Sequence, residues 1–260
     1  MKHFIKNLAW ALVALACNEN SSYSDSPSFG DGGGEGGTGG SMARFTISGD
    51  YLYTVDNSTL KVFDLSIPGD PLHMRTKDQA LSAGAETIFT LDTLLLIGSQ
   101  NGMYIYDVSR PEFPEYLSQT LHIKSCDPVV ASGHHAYVTL NSTSTWCGQT
   151  SNLLQVYDIA DPRRPQLLTE RPLTNPRGLG LSGDKLFVCD NGVKVFDVTD
   201  PSAPVWVDDL DHIRELEGID TYDVIPVGNL LLVIGSDGLY QFSHAGARLT
   251  FVSKLTVKRD

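Results

Sequence analysis

Four stretches of the chain repeat one pattern: TLKVFDLSIPGDPLHM from Thr59, GMYIYDVSRPEFPEYL from Gly102, LLQVYDIADPRRPQLL from Leu153 and GVKVFDVTDPSAPVWV from Gly192. A weaker fifth copy, GLYQFSHAGARLTFV, begins at Gly238. The recurring acid measures the period. Asp64, Asp107, Asp158 and Asp197 correspond, with Ser243 in the fifth position, and the spacings are 43, 51, 39 and 46. A period of about 45 residues marks a repeat architecture, in which one unit cannot hide its apolar faces and stacked units can.

Each unit has the same internal grammar. In the fourth, a short apolar segment (Gly178–Leu181) leads through a Gly-Asp turn into KLFVCD, then Asn191-Gly192, VKVFDV, a proline-bearing turn and PVWVDD. Asn-Gly between alternating apolar runs signals a hairpin. The acid of FDVTDP is expected to cap the following turn with its side chain, and Pro201 and Pro204 stiffen that turn. Helical periodicity appears over no useful length. Four antiparallel strands per unit, in five units, predict an all-β fold: a five-bladed β-propeller with blades at about 42–80, 81–122, 123–172, 173–214 and 215–260. All five units read as complete, so closing the ring needs no strand exchanged between the ends. Solenoid stacking is the structural alternative.

The residues before the repeats read as an address and a leash. Lys2, His3 and Lys6 form a basic start, and Leu8–Ala16 is an apolar run of signal-peptide length, too short to span a bilayer. It ends in ALAC, which resembles a bacterial lipobox with Ala14 where Leu is commoner. The reading is a lipoprotein signal over 1–17, with Cys17 as the lipidated residue that anchors the chain to a membrane; a plain secretory signal cut nearby is the alternative. Residues 18–41 include eight glycines between Gly30 and Gly40 and few apolar residues. Nothing there offsets the entropy of ordering, so a disordered tether spanning about 25–30 Å is expected. The domain it carries is 42–260.

Charge narrows the partners. Without residues 1–17 the chain keeps 17 Lys plus Arg against 31 Asp plus Glu, a net charge near −14. No basic stripe exists to replace phosphate counterions, which argues against nucleic acid, and an anionic lipid surface is equally unsuited.

The motifs VFDVTDPSAP, VYDIADPRRP and IYDVSRPEFP resemble the LVIVD-repeat proteins, a family of bacterial propeller-like lipoproteins frequent in Bacteroidetes-type genomes. The likeness extends to SCDPVVASGHHAYVTL, NPRGLGLSGDKLFVCD and DVIPVGNLLLVIGSDGLYQF and covers essentially all of the chain after the tether. In NPRGLG the family more usually has His where this chain has Arg177. The resemblance implies a lipid-anchored propeller of the cell envelope, with the outer membrane as the expected location; it implies no reaction.

Cysteines fit an oxidising compartment. Cys126 opens the inner strand of blade three, and Cys147 lies in that blade's long connection NSTSTWCGQTSN, which emerges on the same face. A Cys126–Cys147 disulfide is expected, closing a loop of about 20 residues worth about 3 kcal/mol in the chain-entropy account. Cys189, mid-strand in LFVCD, reads as a small buried hydrophobe. No C-x-x-C or H-x-x-x-H pair points to a metal, and His134-His135 reads as an exposed turn.

Ligands of propellers gather in the funnel around the axis. Aligning the blades on LFVCD and its counterparts puts Ala43, Glu86, Asp127, Arg177 and Asp223 at one inner-strand position. The plain reading is an ion-pair network around Arg177. The functional reading is a polar ligand site in which Arg177 holds an anionic group and the carboxylates accept from hydroxyls or ammonium; a Ca²⁺ among the acids is a minor variant, and no other cofactor is implied. Trp146 is the aromatic candidate beside this mouth, with packing under its own loop as the alternative. There is no G-x-S-x-G, and the glycine run follows no strand and starts no helix, so it is not a nucleotide loop. The expected activity is therefore binding or scaffolding toward an envelope protein, a glycan or a small polar ligand. An enzyme acting on a carbohydrate or peptidoglycan fragment, with Glu86 and Asp127 as acid and base, is the alternative, and the separation of those carboxylates would decide it.

Overall fold

A computed structural model describes residues 41–67, 69–74, 79–81, 84–121, 128–142, 152–210, 219–246 and 248–257. These residues form five antiparallel sheets and, among themselves, no helix. The protein is a five-bladed β-propeller. Blade 1 contains β1 (Phe45–Ser48), β2 (Tyr51–Val55) and β3 (Thr59–Asp64), with a fourth position split between β4 (Leu72–His73) and β5 (Gln79–Ala80), both paired with β3. Blade 2 is β6 (Ala85–Leu91), β7 (Leu94–Ser99), β8 (Gly102–Asp107) and β9 (Glu115–Gln119). Blade 3 is β10 (Val129–Ser132), β11 (His135–Leu140), β12 (Leu153–Asp158) and β13 (Gln166–Pro172). Blade 4 is β14 (Pro176–Ser182), β15 (Lys185–Asp190), β16 (Val193–Asp197) and β17 (Val205–Asp209). Blade 5 is β18 (Thr221–Val227), β19 (Leu230–Gly235), β20 (Gly238–Ser243) and β21 (Thr250–Thr256).

The repeated residues make repeated bonds. The first hairpin of every blade turns on a residue in the left-handed region, which Gly or a short polar side chain accepts: Gly49, Asp92, Gly133, Gly183 and Gly228, all with φ between +50° and +56°. The recurring acid caps the turn after the third strand by accepting from the amide two residues on. Asp64 receives Ser66 N at 2.8 Å, Asp107 receives Ser109 N at 2.6 Å, Asp158 receives Ala160 N at 2.8 Å and Asp197 receives Thr199 N at 2.9 Å. In the weak fifth copy Ser243 Oγ does the same for Ala245 N at 3.5 Å. These amide bonds hold the carboxyls of Asp64, Asp107 and Asp197 below the usual carboxylate range.

Strand alternation sends successive residues into different seams between blades. Leu95 and Ile97 of β7 join Tyr53, Val55, Leu60 and Val62 of blade 1, whereas Leu96, between them, joins the cluster that runs through blades 2, 3 and 4. On β15, Leu186 and Val188 face blade 3, while Phe187 and Cys189 face Val224, Leu231, Val233, Tyr240 and Phe242 of blade 5. Cys189 is a free, fully buried thiol whose pKa burial pushes up. Three apolar clusters thus connect blades 1–2, 2–3–4 and 4–5. Among the described residues none connects blade 5 to blade 1. This departs from the fully packed ring expected from the repeats, and the outward-facing residues of those two blades are correspondingly exposed.

Near the axis the two ends do meet. Ser41 Oγ donates to Asp223 Oδ1 at 3.0 Å and accepts from Leu179 N at 2.7 Å, and Met42 N donates to Asp223 Oδ2 at 3.4 Å. One residue later Ala43 O accepts from Ile88 N at 2.9 Å. Residues 41–43 therefore run from the inner strands of blades 4 and 5 to that of blade 2.

Candidate functional site

The inner strands β6, β14 and β18 each carry a bulge at the same level. Ala85 pairs with Ser99 and Thr87 with Gly98, so Glu86 is the extra residue of β6. Pro176 pairs with Asp190 and Leu179 with Val188, placing Arg177 and Gly178 opposite Cys189 alone. Thr221 pairs with Gly235 and Asp223 with Ile234, so the extra residue of β18 is Tyr222. By register, the residue of blade 5 equivalent to Glu86 and Arg177 is Tyr222, and Asp223 takes the position of Gly178 and Thr87. A one-residue step turns a side chain to the other face of a strand. Three consecutive leucines, Leu230–Leu232, allow two alignments of this blade in sequence; the pairing of Val227 with Leu230 across the Gly228-Asn229 turn selects one.

The predicted charges have separate partners. Glu86 accepts from Gln100 Nε2 at 3.1 Å. The guanidinium of Arg177 pairs with Asp220 Oδ1 at 2.9 Å, donates to Thr221 O at 3.3 Å and lies over the Tyr222 ring at 4.7 Å. Its side chain is still 26% exposed. Its backbone carbonyl accepts from Thr139 Oγ1 of blade 3 at 2.5 Å. The ion pair expected around Arg177 therefore forms with Asp220, which lies three residues before the acid singled out in sequence. Asp223 is buried, receives Ser41 Oγ, Met42 N and Val224 N, and has its carboxyl pushed up by desolvation against those bonds. Asp127, Trp146, Cys17 and the Cys126–Cys147 pair lie outside the described residues. Among the described residues no three His, Cys, Asp or Glu side chains gather as a metal site requires.

Sequence reasoning missed a second polar element on blade 4, at the same end of the sheet. Asp190 has a fully buried side chain that accepts from Thr174 N at 3.0 Å, Asn175 N at 2.5 Å and Lys194 Nζ at 2.5 Å. Asn175 bonds Asn141 of blade 3 at 3.0 Å and Asn191 at 3.3 Å. Lys194 Nζ also sits over the half-exposed Trp206 ring at 5.2 Å, and an open cleft lies between Thr174, Asn191, Lys194, Trp206 and Asp209. The available signal was the Asn191-Gly192 turn, whose left-handed Asn191 (φ +53°) was read only as a hairpin. At the other end of blade 3, His134 lies in the β10–β11 turn and His135 is the first residue of β11, paired with Ser132.

The geometry can be set beside known proteins. The family described as LVIVD repeat matches residues 39–76 and 176–211, which are blade 1 with its approach and blade 4. The chain carries LVIVD repeats. No curated protein sequence matches it. Among solved structures, the LVIVD-repeat chain is similar to BamB from Moraxella catarrhalis, with 16% identity, a TM-score of 0.54, and coverage of 82% of this chain and 60% of that one. It is also similar to the periplasmic gluconolactonase PpgL of Pseudomonas aeruginosa, with 16% identity, a TM-score of 0.59, and coverage of 80% and 68%. AztD from Citrobacter koseri gives 12% identity, a TM-score of 0.59, and coverage of 78% and 59%. The chain spans about three fifths of the BamB and AztD chains, and the likeness at these identities concerns the fold.

Proposed function

We propose that this LVIVD-repeat propeller is a binding module of the cell envelope, held to a membrane through lipidated Cys17, that takes an anionic or polyhydroxylated ligand, or a protein partner presenting one, on the face bearing Arg177. The observation that carries the reading is the state of Arg177. Asp220, Thr221 O and Tyr222 hold it at one angle while its side chain stays partly open to solvent. A guanidinium fixed in this way loses little freedom on meeting a carboxylate or phosphate. At the same end of the sheets lie Asn175 and Asn191 of blade 4 itself, and Glu86 with Gln100 on blade 2, where Glu86 occupies the bulge position equivalent to Arg177. Such groups suit hydroxyl-rich ligands. The described acids are committed to protein donors, which favours recognition over acid–base chemistry.

The test is a thermal-shift and calorimetry screen with muropeptides and acidic oligosaccharides, together with pull-down from an envelope extract, repeated with Arg177→Ala. A ligand or partner whose affinity falls at least tenfold in the variant supports the reading. Full binding by Arg177→Ala, or ligand turnover lost in Asp127→Asn with the fold intact, contradicts it.

A further inference from the structure

Trp206, on the outer strand of blade 4, stands between two small clefts. Lys194 pairs with Asp209 and Phe196 with Trp206 across β16 and β17, and Phe196 lies in the apolar cluster shared with blade 3. Directly paired residues point to the same side of a sheet, so Lys194, Trp206 and Asp209 share the side turned to blade 3. With Thr174 and Asn191 they wall the first cleft, of about 220 Å³. The second, of about 250 Å³, shares Trp206 and Asp209 and adds Val207, Asp208 and Arg248. Each is smaller than the roughly 300–1,000 Å³ that encloses a drug-sized ligand, and has room for about one six-membered ring. The ring and the charge beside it are held in advance. Val207 is the extra residue of a bulge, and across it the indole N–H of Trp206 donates to Asp208 O at 2.9 Å, while 55% of the residue stays exposed. Lys194 Nζ is tied to the buried carboxylate of Asp190 and lies 5.2 Å from the centre of the Trp206 ring. Asn191 Oδ1 accepts from Asn175 at 3.3 Å, which leaves the Asn191 N–H2 as the donor on that wall.

An aromatic surface with an ammonium, an amide and a carboxylate at its border matches a sugar ring. The C–H groups on one side of a pyranose lie against the exposed indole, and its hydroxyls, which both donate and accept, meet Lys194, Asn191 and Asp209. The second cleft repeats the combination of cation and acid with Arg248 and Asp208. Lys194 beside the ring disfavours a cationic ligand, and the two aspartates disfavour a polyanion. The ring-sized, polar-walled clefts are unlike the apolar centre of a protein interface. We propose that a neutral glycan chain lies across β17 at this point, with one pyranose in each cleft and Trp206 as the platform between them. Because Trp206 and Lys194 are already fixed, little side-chain freedom is lost on binding. The site lies on the outer strands of blade 4, uses none of the contacts of Arg177 and does not rest on the function proposed for that residue.

Titration calorimetry of the full chain with cellotriose, maltotriose and chitotriose, and with the monosaccharide of each, tests this. At least one trisaccharide is expected to bind, and at least tenfold more tightly than its monosaccharide, since it fills both clefts. Trp206→Ala is expected to weaken that trisaccharide at least tenfold. Trp206→Phe keeps an aromatic surface and is expected to retain binding, which ties the loss to the ring and not to the fold. Arg248→Ala is expected to remove the advantage of the trisaccharide over the monosaccharide. Arg177→Ala is expected to bind the trisaccharide like the unaltered chain; a loss there moves the glycan to the Arg177 face and overturns the proposal. Binding of none of the three trisaccharides overturns it too, as does a loss of less than tenfold in Trp206→Ala. A protein captured from an envelope extract and lost in Trp206→Ala, with no sugar bound, assigns the clefts to a protein partner and equally overturns it.

Discussion

Ser41 Oγ donates to Asp223 Oδ1 at 3.0 Å across 182 positions of sequence, and the same oxygen accepts the amide of Leu179. One hydroxyl therefore joins the segment leading into blade 1 to the inner strands of blades 4 and 5. Removing it leaves a buried N–H without an acceptor and a buried carboxylate with one donor fewer. Ser41→Ala is expected to cost about 1–3 kcal/mol in urea unfolding. Asp223→Asn is expected to cost a similar amount: burial already disfavours the charge and the amide oxygen still accepts from Ser41 and Val224, but the amide N–H2 then faces the Met42 N–H that Oδ2 received.

Gly178 and Gly180 set how closely blades 4 and 5 approach. A Cβ on Gly178 would run into the carboxylate of Asp223 and stand 2.7 Å from its Cα; on Gly180 it would stand 2.6 Å from Pro226 Cδ. Either Gly→Ala change should destabilise by about 1–3 kcal/mol or more through overpacking, seen as a lower unfolding midpoint with an unchanged slope.

His244 gives the stability a dependence near neutral pH. Its ring is buried in the blade 4–5 seam, edge-on to Phe187 at 5.1 Å, and desolvation, with Lys185 nearby, lowers its pKa from 6.5. The folded chain keeps the ring neutral, while the unfolded chain takes up a proton below 6.5. Stability from this group is thus fully present above 6.5 and falls as the pH drops below it. Unfolding midpoints at pH 8 and pH 5.5 should differ in the native sequence, and His244→Gln should shrink the difference.

The turn-capping acids act further down the scale. Asp64, Asp107 and Asp197 have depressed folded values, so their contribution holds above the ordinary value of 3.8 and is lost as the pH falls through and below it. Replacing all three by Asn keeps an oxygen for each turn amide and removes the titration. Acid unfolding followed by circular dichroism should then begin at lower pH than in the native sequence.

The blades were legible in sequence because each repeat carries its own turn chemistry. The capping acid, the Gly-Asp or Asn-Gly turns and the alternating apolar runs identify strands without reference to the rest of the chain. The site was less legible. Arg177 and Glu86 share a bulge position, but Leu230–Leu232 can be slid by one residue, and sequence alone put Asp223 where Tyr222 stands. Asp220 was missed because it precedes the strand. The open seam was hidden for a different reason: Leu232 and Ile234 are as apolar as Phe187 and Cys189, the buried residues they match in blade 4, and only the placement of blade 1 relative to blade 5 leaves Leu232 half-buried and Ile234 exposed.

Leu231 and Leu232 are adjacent in β19 and face opposite ways, the first fully buried against blade 4 and the second on the uncovered side. Urea unfolding of Leu231→Ala and Leu232→Ala tests the one-sided stacking of the terminal blades most directly. Leu231→Ala is expected to cost about 2–4 kcal/mol and Leu232→Ala less than about 1 kcal/mol. Equal losses, or the larger loss at Leu232, would mean that blade 5 is covered on both sides or turned over.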